Sequence, residues 1–268
     1  MKAVVLAAGA GSRMKAADDS VTLNAAQAVL ADTGIKSLVP LGDRPLLDYI
    51  LSALADAGCG EVCLVVGPGH GAIRDRYAGV APPGRITVSF ATQEQPRGTG
   101  DALLAAEAFV QGDEFLMTNS DNYYPVSVLR TLVQMGRPGT VLFGPEGLAA
   151  RSNIEPSRIL AFALGKIGAD GCLDALVEKP DAAALLELGG DREVSMNCWR
   201  FPASIFQACR QLRPSVRGEL ELTDAIMKTI AGGVRFKVEK SDEGVLDISK
   251  RRDLEMVKER LRGVVVSL

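Results

Sequence analysis

The sequence predicts an α/β fold in which helices cover both faces of a parallel or mostly parallel sheet. Two observations lead to this prediction. Short β-branched segments alternate with longer alanine- and leucine-rich segments, and the first two predicted strands are apolar at every position after an initial charged residue. Strands without a polar face are typical of sheets whose parallel strands are joined by covering helices.

The first half of the chain, residues 1–144, shows the regular alternation. Its predicted strands cover residues 2–6, 61–66, 85–91, 114–118 and 140–143, and its predicted helices cover residues 45–57, 98–110 and 125–135. In such sheets ligands bind at the carboxyl ends of the strands. Functional residues are therefore expected in the loops that follow these strands.

The second half, residues 145–268, is more irregular. Its predicted strands cover residues 158–164, 175–177, 194–201 and 234–238, and its predicted helices cover residues 181–188, 202–212, 220–231 and 250–261. Neither repeats nor a low-complexity linker interrupt the chain. We therefore expect a single domain over residues 1–268, in which a nucleotide-type first half, residues 1–144, is followed by the more irregular second half.

Composition excludes several classes of protein. The 268 residues are 47% hydrophobic and 24% charged, which is typical of a globular protein. A net charge of −3 gives no basic footprint for nucleic acid or a membrane surface. No apolar segment approaches the ~20 residues that span a bilayer, and the apolar start is too short for a signal sequence. The five cysteines show no paired metal spacing, so free thiols in a reducing cytoplasm are expected.

The stretch Leu6-Ala-Ala-Gly-Ala-Gly-Ser-Arg-Met14, called here the signature loop, follows the first predicted strand. Its glycines allow backbone amides to approach an anion, and Arg13 offers a bidentate phosphate contact. The stretch lacks the third glycine of a dinucleotide fingerprint and is not a Walker sequence. Taken alone, it is also compatible with a purely structural glycine turn.

Two acids are candidates for a metal site. Asp121, in Asn119-Ser-Asp-Asn122, follows an apolar strand, where a carboxylate is a natural ligand for a divalent cation carried by phosphates. Asp247 would supply a second carboxylate after the last strand, and such a pair suits phosphoryl or nucleotidyl transfer. The alternatives are a turn-forming cluster at Asp121 and a surface acid at Asp247.

Two further segments carry weaker signals. Gln93 offers both a donor and an acceptor for a nucleobase edge, and Arg97-Gly-Thr-Gly-Asp101 starts a helix with free amides. Glu178-Lys179-Pro180 places a lysine at a strand end. A plain strand-to-helix turn and an ordinary surface charge pair are the alternatives.

Taken in order, these motifs resemble the sugar-phosphate nucleotidylyltransferase family, the pyrophosphorylases that make NDP-sugars. The resemblance runs over nearly the whole chain. It also includes Lys36-Ser-Leu-Val-Pro-Leu-Gly-Asp-Arg-Pro-Leu-Leu47, Ser195-Met-Asn197, Gly218-Glu-Leu-Glu-Leu-Thr-Asp224 and Asp247-Ile-Ser249. It implies a Rossmann-like, mostly parallel mixed sheet flanked by helices, in one domain whose second half builds the sugar site.

The resemblance also implies the reaction. An NTP and a sugar 1-phosphate would give an NDP-sugar and pyrophosphate with Mg²⁺ as cofactor, by in-line attack on the α-phosphorus. Positioning and charge neutralisation would dominate the catalysis. Gln93 slightly favours UTP or dTTP, although relatives that use ATP carry glutamine there too. A homo-oligomer is compatible with this family.

By motif, the resemblance implies a role for each candidate residue. The nucleotide-binding set is Leu6, Ala8, Gly9, Gly11, Ser12, Gln93, Gly98, Thr99 and Asp121. In the catalytic set, Arg13 holds the departing pyrophosphate, Lys36 neutralises phosphates and Lys179 grips the sugar phosphate. The sugar-phosphate set is Asn122, Glu178, Lys179, Asn197 and Glu219, and the Mg²⁺ ligands are Asp121 and Asp247.

The segment between Arg13 and Lys36 is longer than is usual in the family. We expect a helix over residues 24–31, in a segment that serves either as a lid or as a passive surface excursion. The added length makes Lys15 a rival for the role of Lys36. Lys36 is preferred because Pro40 and the Pro45-Leu-Leu47 segment keep the family's register.

Other departures concern the sugar and the alternatives. Trp199 and Cys198 replace smaller or differently shaped residues, and a bulky Trp199 beside the sugar site would make glucose doubtful. His70 is expected in a solvent-exposed loop. Two alternative functions remain. One is nucleotidyl transfer to a phosphate acceptor that is not a sugar phosphate, and the other is non-catalytic sensing of a nucleotide or a sugar phosphate. A nicotinamide oxidoreductase is disfavoured, and a fused acetyltransferase with β-helix repeats is not expected.

Overall fold

The strands of the protein form a mixed, mostly parallel sheet with helices on both faces, as predicted. A computed structural model describes residues 1–16, 23–80, 82–189 and 193–268. Numbered in chain order, the strands are β1 Lys2–Ala7, β2 Glu61–Val66, β3 Thr87–Thr92, β4 Phe115–Asn119, β5 Asn122–Tyr123, β6 Gly139–Phe143, β7 Ala163–Ile167, β8 Leu173–Val177, β9 Glu193–Phe201, β10 Lys237–Ser241 and β11 Leu246–Asp247.

The helices are short, and most of them connect strands. In chain order they are α1 Ser12–Lys15, α2 Ala25–Thr33, α3 Leu46–Ala57, α4 Gly71–Arg74, α5 Thr99–Leu104, α6 Glu107–Val110, α7 Val126–Gln134, α8 Pro145–Arg151, α9 Ala182–Glu187, α10 Ile205–Arg210, α11 Leu222–Ala231 and α12 Asp253–Arg260. Turns of 3₁₀-helix cover Lys36–Leu38 and Pro156–Ala161, and a π-helical turn covers Asp75–Val80.

The main path of the sheet runs in the order β10-β6-β9-β4-β1-β2-β3. Strands β1 to β4 run parallel to one another, whereas β9 is antiparallel to both of its neighbours on this path, β4 and β6. A strand from the second half of the chain therefore lies inside the sheet that the first half begins. The short strands β5 and β11 pair separately and bring Asp247 opposite Asn122.

The residues of β1 show how the sheet is buried on both faces. Ala3, Val5 and Ala7 pack with the buried residues of α3 and α7. Val4 and Leu6 pack with those of α5, α10 and α11 on the other face. Successive side chains of a strand point to opposite faces, so a strand covered on both sides must be apolar at every position. This placement leaves the strand ends as the polar surface available to a ligand.

Three predicted elements differ from the structure. The strand predicted over residues 158–164 is wrong at its start, because Pro156 opens a 3₁₀ turn and strand β7 begins only at Ala163. The strand predicted over residues 234–238 begins later, at Lys237, because the Val234 amide donates to the Thr229 carbonyl and closes α11. The helix predicted over residues 98–110 is divided into α5 and α6.

Two expectations from composition can be compared with the structure. All five cysteines are buried free thiols, and burial raises the pKa of the Cys198 thiol to about 12. Among the residues that the structure describes, no helix is both long and apolar enough to cross a lipid bilayer.

The predicted helix in the segment before Lys36 is confirmed as α2, while residues 17–22 of that segment lie outside the described residues.

A buried carboxylate joins α3 to the segment after β2. Asp48 is fully buried, and its side chain accepts hydrogen bonds from the Arg76 guanidinium and from the Tyr77 hydroxyl at 2.7 Å. We expect Asp48→Ala to lower the free energy of unfolding by about 2–4 kcal/mol, because it leaves the buried Tyr77 hydroxyl and the partly exposed Arg76 guanidinium without their acceptor. Denaturant unfolding measures this loss, with Tyr77→Phe as the control at about 1 kcal/mol. Equal losses for the two variants would contradict the prediction.

Candidate functional site

A cleft of about 480 Å³ opens at the carboxyl ends of β1 and β4. The predicted site residues that line it are Leu6, Ala8, Gly9, Lys36, Gln93, Gly98, Thr99, Asp121 and Glu219. The ends of β1 and β4 and the turn before α5 converge there, because parallel strands end at the same edge of a sheet. Most of the predicted nucleotide-binding set is therefore brought together, with one residue from the second half of the chain.

The signature loop packs against the cap of α2. Gly11 has a φ of 62°, and a Cβ placed on it would lie 2.1 Å from the carbonyl oxygen of Gly34. No other residue type fits this approach without displacing the backbone. Ser12 and Arg13 follow at the exposed start of α1 and are not among the residues that line the cleft. Residues 6–10 of the loop thus line the cleft, whereas Gly11 joins Ser12 and Arg13 outside the lining.

Lys36 and Asp121 form an ion pair inside the cleft. Lys36 opens its 3₁₀ turn after α2, and its Nζ donates to Asp121 Oδ2 at 2.7 Å. The two side chains are 18% and 29% exposed, so both can reach a ligand. Lys15, the rival of Lys36, is exposed at the end of α1, outside the lining residues. The structure therefore places Lys36 and not Lys15 beside the acid.

Asp247 is buried and is not among the residues that line the cleft. Its Oδ1 accepts from Asn122 Nδ2 at 3.1 Å, and its Oδ2 accepts from Arg158 Nη2 at 2.9 Å and from Ser249 Oγ at 2.7 Å. Burial raises the pKa of Asp247, and the nearby negative charge of Asp121 raises it further. Asn122 therefore holds Asp247 and does not line the cleft.

The donor set fits Mg²⁺. Asp121 and Asp247 offer hard carboxylate oxygens, and the two charges interact, because the negative charge of Asp121 adds to the effect of burial in raising the pKa of Asp247. The described residues contain no cluster of three or more metal-ligating side chains. Mg²⁺ is usually bound by one or two carboxylates together with waters and substrate phosphates, so two acids are a sufficient protein contribution.

Gln93 is buried at the cleft wall and held by its neighbours. Its Nε2 donates to the Gly98 carbonyl and to Asp101 Oδ2, each at 3.0 Å, and Arg97 binds the other oxygen of Asp101. Because both partners are acceptors, the nitrogen must face them and the carbonyl oxygen must face away. The donor of Gln93 is thus used internally, and Oε1 is the group left for a ligand. Sequence reasoning gave Asp101 no role, although the i,i+4 spacing to Arg97 is a signal for this pair.

A crossing of two segments brings Glu219 to the cleft. Gly98 has a φ of 115°, and a Cβ on it would lie 2.7 Å from the Leu220 backbone. The Leu220 amide donates to the Arg97 carbonyl at 2.7 Å, and Thr99 Oγ1 accepts from the Leu222 amide at 3.1 Å. These bonds fix the start of α11 beside the start of α5. Glu219, just before this crossing, is held at the rim as an exposed carboxylate.

Glu178 and Lys179 are placed outside the lining residues of the cleft. Glu178 is half-buried beside α11, where Thr223 Oγ1 donates to it at 3.4 Å and Arg217 lies 3.8 Å away. Burial raises the pKa of Glu178. Lys179 is exposed and has a φ of 45°, an uncommon conformation for a residue other than glycine.

Asn197 sits at an irregularity of β9. Between Thr140 and Leu142 the pairing of β6 with β9 shifts register, and Asn197 has a φ of 59° there. The Tyr124 hydroxyl donates to the Met196 carbonyl at 2.6 Å and holds this bulge. Asparagine tolerates the left-handed conformation, and bulges commonly re-aim a side chain. Asn197 is also absent from the residues that line the cleft.

Two sequence expectations are wrong in the structure. Trp199 is fully buried, stacks on Phe201 at 5.5 Å between ring centres, and meets Phe236 edge-on at 5.9 Å. Its size therefore belongs to the core and does not bear on the choice of sugar. His70 is half-buried and not exposed: its Nδ1 lies 2.9 Å from the Ala7 carbonyl oxygen, and burial lowers its pKa.

Comparison with known proteins adds independent information. A family model described as nucleotidyl transferase matches residues 2–262. Over 235 residues the chain is 31% identical to the low-salt glycan biosynthesis nucleotidyltransferase Agl11 of Haloferax volcanii. It is also 31% identical over 235 residues to a glucose-1-phosphate thymidylyltransferase of Streptomyces antibioticus. Each alignment covers 87% of this chain but 58% of the relative, so the chain spans less than two-thirds of their length.

Solved structures agree on the fold. A UTP-bound UGPase from Acinetobacter baumannii superposes with a TM-score of 0.74 at 18% identity, covering 99% of this chain and 95% of that one. A UDP-glucose pyrophosphorylase complexed with UDP-glucose gives a TM-score of 0.72 at 17% identity, covering 97% and 98% of the two chains. At these identities the likeness establishes the fold alone.

Proposed function

Because the chain belongs to the nucleotidyl transferase family, we propose that it transfers a nucleotidyl group from an NTP to a sugar 1-phosphate, giving an NDP-sugar and pyrophosphate. The observation that carries this proposal is the 2.7 Å ion pair of Lys36 and Asp121 in a cleft walled by the signature loop. The names of the nucleotidyltransferase relatives support the same reaction class.

In this reaction an oxygen of the sugar phosphate attacks the α-phosphorus in line, and pyrophosphate leaves. The backbone of Gly9 and Gly11 cradles the nucleotide phosphates, Arg13 meets the departing pyrophosphate, and Lys179 binds the sugar phosphate. Lys36 exchanges its hydrogen bond to Asp121 for one to a phosphate oxygen, so that its positive charge neutralises the charge of the bound substrate. Mg²⁺, when held by Asp121 and Asp247, would neutralise phosphate charge.

The residues of the second half supply contacts to the sugar. Glu178 and Asn197 bond hydroxyl groups, and Glu219 approaches from the rim of the cleft. The left-handed backbone of Asn197 supports this role, because strained positions cluster at ligand sites. The bond from Asn122 to Asp247 supports a positioning role for Asn122 in place of direct contact with the sugar phosphate.

The accessible acceptor of Gln93 supports a uracil or thymine base. Its Oε1 can accept from the N3–H of either base, whereas the N3 of cytosine is itself an acceptor. Relatives and fold neighbours that act on or bind such nucleotides include the thymidylyltransferase and the UTP-bound UGPase. UTP or dTTP is therefore the proposed donor.

Pyrophosphate release, measured for a panel of NTPs crossed with sugar 1-phosphates, tests the function and the base together. We expect UTP or dTTP to exceed CTP in kcat/KM by at least about 10-fold, since a lost buried hydrogen bond costs 1–3 kcal/mol. Gln93→Leu should remove most of this preference, whereas Gln95→Leu, at an exposed neighbouring glutamine, should keep it. Nucleotide binding without turnover for every pair would instead indicate a non-catalytic family member.

A further inference from the structure

The segment between β11 and α12 reaches the signature loop through one side chain. Arg251 Nε donates to the Met14 carbonyl at 2.9 Å, and its Nη2 donates to the Lys15 carbonyl at 3.2 Å and to Asp32 Oδ1 at 2.7 Å. The Arg251 side chain is 14% exposed. A single guanidinium therefore joins α1, α2 and the start of α12, which are far apart in sequence.

These contacts supply hydrogen bonds to backbone carbonyl groups at the carboxyl end of α1. The last carbonyls of a helix have no partner within the helix, and α1 has only four residues. The planar guanidinium suits such a site because its several donors have a fixed geometry, and its charge complements the helix carboxyl end. On its other side, α1 is held by the approach of Gly11 to Gly34. The short helix is thus fixed from two directions.

The helix that is held in this way, α1, carries Arg13. Arg13 is exposed on α1, and within the described part of the chain no hydrogen bond or ion pair holds its guanidinium. We propose that Arg251 is a positioning residue that fixes α1 so that Arg13 meets the leaving pyrophosphate. This inference rests on the proposed function. Arg251 does not line the cleft, so it would affect turnover through the groups that it holds, of which α1 carries Arg13.

A double-mutant cycle tests whether Arg251 acts through Arg13. We expect Arg251→Ala to lower kcat about 10-fold with little change in the KM for NTP, because the leaving group's charge develops in the transition state. In an Arg13→Ala background the same change should cost less than about 3-fold, since coupled residues are not additive. Arg252→Ala is the matched control: this neighbouring arginine pairs with Glu155 at 3.2 Å, and its replacement should leave kcat unchanged. Losses that multiply across the two arginines would overturn the proposal.

Amide hydrogen exchange supplies a readout that does not need turnover. In Arg251→Ala, residues 12–16 and 25–33 should exchange at least about 10-fold faster, while β1 and β4 keep their protection. Asp32→Ala removes one partner at an exposed position and should move the same amides in the same direction by a smaller factor. Unchanged exchange in α1 would overturn the proposal. If wild-type protein turns over no substrate pair, the proposed function fails, and exchange still decides whether Arg251 holds α1.

Discussion

Replacement of Asp121 by asparagine is expected to lower kcat/KM for nucleotidyl transfer by at least about 1,000-fold, or ~4 kcal/mol. The variant keeps the shape of the side chain but removes the charge that binds Lys36 and that we assign to Mg²⁺. The fold should persist, because Lys36 and Asp121 are 18% and 29% exposed and water can therefore solvate the lysine once the opposite charge is removed. Burial would still raise the pKa of Asp247 in this variant, but the additional rise caused by the negative charge of Asp121 would be lost.

Three measurements distinguish a lost ligand from a damaged fold. Titration of the substrate-free protein with Mn²⁺, followed by electron paramagnetic resonance, should show binding to wild type and at least about 10-fold weaker binding to Asp121→Asn. Thermal unfolding should be nearly unchanged. Asp113→Asn is the matched control, since Asp113 also pairs with a lysine, Lys2, at 2.9 Å, but on the surface away from the cleft. Retention of activity within about 10-fold of wild type would exclude Asp121 as a metal ligand.

The architecture could be predicted because the apolar composition of β1 reflects the burial of both of its faces. Val4 and Val5 point to opposite faces, and each meets a different layer of helices. Only a sheet covered on both sides makes both positions apolar. The antiparallel insertion of β9 between β4 and β6 left no comparable signal, because pairing partners far apart in sequence are not encoded locally.

Convergence of the candidate residues could be predicted for the same topological reason. Lys36, Gln93 and Asp121 meet because the loops that carry them lie at one edge of the sheet. What holds them could not be predicted. Asn122 reaches Asp247 across 125 residues through the pairing of β5 with β11, and no motif specifies that contact.

The error at Trp199 shows where motif adjacency misleads. Trp199 follows Asn197 by two positions, and in a regular strand both side chains would share one face of the sheet. The shift in register between β6 and β9 and the left-handed backbone of Asn197 break that relation. Trp199 consequently packs on Phe201 within the core. A sequence motif gives the neighbours along the chain, but a bulge decides which side of the sheet each of them faces.

Lys36→Met is expected to lower kcat/KM by about 100- to 1,000-fold, equivalent to ~3–4 kcal/mol. Methionine keeps an unbranched side chain of similar length but carries no charge, so the cleft would lose the cation that its geometry directs at the phosphates. Asp121 would also lose its ion partner and would repel an incoming NTP. The expected loss therefore combines weaker binding, seen in KM, with poorer charge neutralisation in the transition state, seen in kcat.

Lys15→Met provides the matched control within the same segment. Lys15 carries the same charge on the same kind of side chain, but it is exposed at the end of α1 and outside the lining residues. We expect its replacement to change kcat/KM by less than about 3-fold, since the charge of an exposed side chain outside the lining is screened by solvent. A larger loss for Lys15→Met than for Lys36→Met would transfer the phosphate role to Lys15.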